Sequence, residues 1–158
     1  MENEKLVLLE ADLRAQQKQI DAVYRKIAAR KKASTQDPVA FENLAYQLHN
    51  LYSAFEDLFR IVANHFENHI AEQTSWHKEL LKRMATNIPG MRPAFISPQM
   101  RELLEDLRGF RHVFRHAYLY ELDPERIKLV YKKAMALKKI YPAEIQLFLN
   151  QLRTKNHA

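Results

Sequence analysis

FENLAYQLHNLYSAFEDLFRIV, residues 41–62, decides the fold. Its apolar positions Phe41, Leu44, Leu48, Leu51, Phe55, Leu58 and Val62 advance in alternating steps of three and four. That spacing places them on one face of a helix and excludes the period-two alternation of a half-buried strand. Asp37-Pro38 reads as an N-cap followed by a proline at the first helical position, and the pattern continues to about residue 70. Tyr46, Tyr52, Phe59 and Phe66 flank the seam and make it bulky. A helix of this kind belongs at the centre of a bundle.

The chain on either side repeats the pattern. Before it, Leu6, Leu9, Leu13, Ile20, Val23 and Ile27, with Gln16 filling the gap, give a long amphipathic helix. Arg30-Lys31-Lys32 closes it with cations where a helix C-terminus favours them, and Ser34-Thr35-Gln36 is loop. A short loop between two long helices makes them antiparallel. After it, Thr74-Ser75 opens a shorter helix through Trp76, Leu80, Leu81 and Met84. Ile88 to Pro93 is irregular, anchored by Met91, Phe95 and Ile96. Ser97-Pro98 starts a fourth helix with Met100, Leu103, Leu104 and Leu107 inward, interrupted by Gly109 at a cost of about 1 kcal/mol relative to Ala. Asp123-Pro124 starts the last, with Ile127, Val130, Tyr131, Ala134, Leu137 and Ile140 inward. Pro142 is expected to kink or restart it before Ile145, Phe148 and Leu152. The reading is an all-α, up-and-down antiparallel bundle of four to five main helices, one domain over residues 1–158.

Composition narrows the function classes. There is no cysteine, which excludes disulfides, thiolate zinc sites and a cysteine nucleophile. The net charge of +6 favours a polyanionic partner. No apolar run approaches the roughly 20 residues of a membrane span. Met1-Glu2-Asn3-Glu4 opens acidic with no apolar core behind it, unlike a signal peptide, so a cytoplasmic location without a membrane partner is expected.

The chemistry concentrates in Leu107-Arg108-Gly109-Phe110-Arg111-His112-Val113-Phe114-Arg115-His116-Ala117-Tyr118. A fixed positive charge and an imidazole are what a protein needs to cut RNA without a metal. The ribose 2′-hydroxyl attacks the adjacent phosphate; His116 moves protons, since an imidazole titrates near neutrality. The Arg111 guanidinium grips the phosphate and offsets charge in the transition state. On an unbroken helix five residues turn the side chain by roughly 140°. Either the helix loosens here, or the two groups converge with help from a second copy. Taken alone, such a pair is an ordinary feature of a helix surface. Arg108, Arg111 and Arg115 also share one face, as do Lys128, Lys132 and Lys139 on the last helix, and either stripe suits a phosphate backbone.

Arg111, four residues, His116, one residue, Tyr118 resembles the motif of the HEPN ribonucleases, and within them that of the HepT-like toxins. Residues 45–59 also resemble the matching helix of those proteins. The resemblance implies a metal-independent endoribonuclease with Arg111 and His116 catalytic and tRNA as substrate; the face that Arg108 and Arg115 share with Arg111 makes those two the candidate RNA-binding residues. It also implies a homodimer in which two motifs line one cleft, and a cognate nucleotidyltransferase-fold antitoxin that attaches AMP to Tyr118. Phosphates added there would occupy Arg111 and Arg115. The sequence departs from the family at His112, where Asn or Asp is common. The competing reading is a non-catalytic helical dimer that binds nucleotide or nucleic acid.

No metal or other cofactor is expected. His65 with His69 and His112 with His116 have a chelating i, i+4 spacing, but the second pair lacks the Glu of the zinc-protease helix and carries Arg115 beside it. Neither pair supplies the Glu-x-x-His of carboxylate-bridged di-iron bundles. His65 and His69 continue the seam of the second helix and so belong in or beside the core. Glu56 and Asp57, in the middle of the second helix, either hydrogen-bond the motif Arg or His or serve as solvated or capping groups, and neither is counted as catalytic. The leucine seam of the first helix serves either a dimer contact or the interior.

Overall fold

The computed structural model describes residues 2–30, 37–67, 76–117 and 121–156. These form five helices: α1 (Asn3–Ala28), α2 (Pro38–Phe66), α3 (Trp76–Met84), α4 (Pro98–Arg115) and α5 (Pro124–Asn156). Among the described residues there is no strand beyond one isolated bridge, Ile88 to Arg92. The expected all-α bundle is observed. The three Xaa-Pro starts also hold. Asp37 accepts from the Val39 and Ala40 amides at 3.2 and 3.3 Å. Ser97 Oγ accepts from the Met100 amide at 3.1 Å, and Asp123 from Glu125 at 3.1 Å. Each cap satisfies a donor that a helix start leaves orphaned.

The central helix is α2. It buries thirteen residues, and it alone packs against all four other helices. It stops at Phe66, short of residue 70, because Glu67 leaves helical geometry and turns its side chain inward. Along α1 the leucine seam is spent inside the chain: Leu6, Leu9, Leu13, Ile20 and Ile27 are buried in the common core. Gln16 crosses to the Ala54 carbonyl at 2.9 Å, and Tyr24, absent from the predicted seam, is buried and donates to the Ala134 carbonyl at 2.8 Å. His65 lies partly exposed against Asp12 at 3.2 Å, outside the core; His69 lies outside the described residues, as do Thr74 and Ser75.

Neither Gly109 nor Pro142 ends its helix. α4 runs through Gly109, where the missing side chain leaves room for the Arg126 guanidinium of α5, 3.4 Å from where a Cβ would sit. α5 runs through Pro142 without a restart. The carbonyl that proline leaves without its helical donor belongs to exposed Lys138, at the surface. Its neighbour Tyr141 is locked in place, stacked on Tyr24, edge-on to Phe55 and donating its hydroxyl to Asp21. Packing on both sides overrides the local break.

The segment between α3 and α4 is organised by a residue that hydropathy alone does not point to. Phe95 and Ile96 are buried as expected, their amides donating to the Met84 carbonyl, but Met91 is exposed. Arg92 goes inside instead, at 1% exposure. Its guanidinium donates to Glu67 at 2.6 Å, and to the carbonyls of Thr86 at 3.2 Å, Pro93 at 3.1 Å and Arg83 at 3.0 Å. Gly90, at φ +78°, makes the turn that brings Arg92 back against Ile88. One buried ion pair therefore ties the end of α2 to the end of α3 and the loop. Arg92→Ala strands the Glu67 carboxylate and is expected to cost about 3–5 kcal/mol in urea unfolding. Removing the exposed Lys128–Glu125 pair, 3.3 Å apart, by Lys128→Ala is expected to cost under about 1 kcal/mol. Equal losses would refute the buried staple.

Candidate active site

On α2, His49, Tyr52 and Glu56 stand at i, i+3 and i+7, one stripe of polar groups along the helix. On α4, Arg108, Arg111 and Arg115 have the same spacing. The charges meet in antiparallel order. Tyr52 feels Glu56, Arg108, Glu105 and Arg111, while His49 feels Arg111 and Arg115. Complementary stripes of one period on two packed helices thus place the motif arginines over the polar face of the central helix.

Glu56 is the hinge of the cluster. Its side chain is 4% exposed and both oxygens are engaged. Oε2 accepts from His77 Nδ1 at 2.6 Å, and Oε1 faces Arg111 Nε at 3.9 Å. The first is a short hydrogen bond. The second is a Coulombic contact beyond hydrogen-bond reach, and Arg111 Nε, sealed from solvent, makes no hydrogen bond among the described residues. A buried carboxylate costs several kcal/mol unless its charge is answered. Arg111, itself only 14% exposed, supplies that answer. His77 is held in place by Trp76, whose ring lies 4.4 Å away and carries the Arg60 guanidinium on its face at 4.4 Å. Since the carboxylate accepts from Nδ1, neutral His77 carries its lone pair on Nε2.

The helix ends between the two motif residues. α4 stops at Arg115, and His116 is its C-cap, with φ −110° and ψ 20° and its amide donating to Val113 at 3.1 Å. Of the two sequence alternatives, the loosening of the helix is therefore realised. His116 Nδ1 donates to the His112 carbonyl at 2.8 Å, so the neutral ring carries its lone pair on Nε2. Within one chain, Arg111 is held by Glu56 and His116 by the His112 backbone. The His112 ring is exposed and lies 4.5 Å from that of His116.

The remaining sequence candidates divide. Arg108 is engaged by Glu105 through Nε and Nη2, both at 2.9 Å, whereas Arg115 is exposed. Tyr118 lies outside the described residues. Asp57 is exposed and pairs with Arg60 at 3.9 Å, taking no part in the cluster. Lys128, Lys132 and Lys139 are exposed, and Lys128 is paired with Glu125. Among the described residues no group of three or more His, Asp or Glu side chains is placed to hold a metal ion, and no helix is long and apolar enough to cross a membrane. His77 escaped the sequence reading, because it stands on another helix with no partner in sequence. The signal was Glu56, an acid among apolar positions, which does meet the motif Arg and also a histidine other than His116.

Burial sets two ionisations. Tyr52 is fully buried with a hydroxyl that makes no hydrogen bond among the described residues, and burial drives its pKa far above the ordinary phenol range; Glu56 and Glu105 push the same way, while Arg108 and Arg111 oppose. His49 is pushed below the ordinary imidazole value, chiefly by burial and then by Arg111 and Arg115, with the Asn50 side chain opposing. His49 is therefore harder to protonate in the fold than in the unfolded chain, which takes a proton below about pH 6.5. The unfolded state then binds more protons, so this residue removes stability as pH falls from 7 towards 5. Melting temperatures at both pH values are expected to fall less for His49→Phe than for wild type. Equal falls would show that His49 is no harder to protonate in the fold.

Fold and site together describe a helical bundle with an Arg–His motif at the end of one helix, braced by a buried carboxylate. The family model described as HepT-like protein matches residues 43–152, well over half of the chain. The chain belongs to the HepT-like family, which is of HEPN type and associated with the HEPN nuclease superfamily. Neither a search of curated proteins nor one of solved structures returned a match.

Proposed function

We propose that this chain is a metal-independent endoribonuclease and the toxin of a toxin–antitoxin pair. The observation that carries the reading is the state of Arg111 in a HepT-like chain. It is a cation braced by a buried carboxylate, five residues from an imidazole that caps the same helix. His116 takes the 2′-hydroxyl proton, the 2′-oxygen bonds to phosphorus, and the 5′-oxygen leaves and receives a proton. The products end in a 2′,3′-cyclic phosphate and a 5′-hydroxyl. Arg111 binds the phosphate and offsets the charge that builds in the transition state. Arg115, exposed at the same helix end, binds the neighbouring backbone, and Arg108 does so only on release from Glu105.

Family membership supports the rest of the reading. The chain acts in the cytoplasm as a homodimer whose two motifs share a cleft, tRNA is the substrate, and a nucleotidyltransferase-fold antitoxin silences it by attaching AMP to Tyr118. His77 acts through Glu56 as a positioning residue.

Purified protein with total tRNA in EDTA tests this. Wild type is expected to release fragments with cyclic-phosphate ends, and His116→Ala to cut at least about a hundredfold more slowly. His77→Ala is expected to lose less than His116→Ala. Loss by His77→Ala with retention by His116→Ala would move the proton-transfer role to His77. Equal cutting by wild type and His116→Ala would refute the site. No cutting by an unmodified wild-type chain would leave the non-catalytic binder.

A further inference from the structure

Tyr46 is the one aromatic among the large apolar side chains that the described residues leave exposed, at 51%. It does not stand alone. Its ring lies nearly parallel to that of His49, at 16° and 6.4 Å, and Phe114 of α4 sits 6.3 Å from Tyr46 and 5.0 Å from His49. Phe110, buried, backs Phe114 from beneath at 6.1 Å. Phe114 tilts against the other two rings by 44° and 35°, so the three form a faceted shelf bridging α2 and α4, rooted in the core and open at Tyr46. The charge beside it is positive: Arg111 and Arg115 both act on His49. Burial and the two arginines disfavour a charge on His49, which adds a ring to the shelf.

We propose that Tyr46, His49 and Phe114 form a stacking subsite for an unpaired nucleobase of an RNA whose backbone crosses Arg111 and Arg115. This rests on the RNA reading above but not on cleavage. Aromatic faces beside cationic side chains are how proteins hold single strands, because every base offers a π-face and every linkage a negative charge. A base inside a duplex cannot reach such a shelf. The subsite therefore confines the enzyme to loops and single-stranded ends, whatever the sequence there.

Binding to a short 2′-O-methyl RNA carrying 2-aminopurine tests the subsite, since the blocked hydroxyl prevents cleavage. The same strand annealed to its complement is the comparison. Tyr46→Ala is expected to weaken single-strand binding about tenfold and abolish the fluorescence quench, while leaving duplex affinity unchanged. Tyr46→Phe is expected to keep both, and Arg115→Ala to weaken both substrates alike. Unchanged or equal losses on strand and duplex for Tyr46→Ala would overturn the subsite, as would no binding of single-stranded RNA at all. Light scattering that shows a wild-type dimer and a Tyr46→Ala monomer would also overturn it, by giving the shelf to a second copy. A wild type that shows the Tyr46-dependent quench but leaves tRNA intact would keep the subsite and remove only the nuclease reading.

Discussion

A carboxylate inside a helical core must be answered by positive charge, and Glu56 is that carboxylate. It sits on the most buried helix of the bundle with one oxygen on His77 and the other facing Arg111. Through it α2 is joined to α3 and to α4 by polar contacts at the level where the motif begins. The arrangement constrains Arg111 more than the helix does. A guanidinium on a free surface would wander through many rotamers; this one is drawn against α2 and nearly sealed from solvent.

A second buried pair, Glu67 with Arg92, works at the other end of α3. The short helix is thus held between two charge contacts, His77 near its start and the Arg83 carbonyl near its end. Buried ion pairs bring little net stability compared with well-packed apolar residues, so their value lies in specificity of position. In this bundle they set where the ends of α2 and α3 lie, and therefore where the polar face of α2 meets the basic face of α4. Apolar packing alone would tolerate several such alignments.

The seams of α1, α2, α4 and α5 were readable because period and volume decide them: Leu48, Phe55 and Leu104 are buried wherever a bundle forms. Xaa-Pro starts were readable because capping is local. Gly109, and the restart expected at Pro142, misled for the same reason that the caps did not. Local propensity predicts a break, but Tyr141 and the packing of Arg126 on Gly109 supply tertiary constraints that no local rule contains. The buried Arg92 was illegible because hydropathy sends arginine outward and Glu67 is distant in sequence. At the candidate site the motif spacing marked Arg111 and His116, and the acid at Glu56 marked a partner. The identity of that partner's second contact, His77, depended on how α3 returns across α2, which no spacing encodes.

The coupling of Glu56 to Arg111 braces the whole site. Urea unfolding at pH 7 of wild type, Glu56→Gln, Arg111→Met and the double variant measures it without reference to any activity. The double variant is expected to be more stable than the sum of the single losses allows, by about 1–3 kcal/mol. Losses that add to within about 0.5 kcal/mol would mean that the two residues do not hold each other, and the site would have no brace.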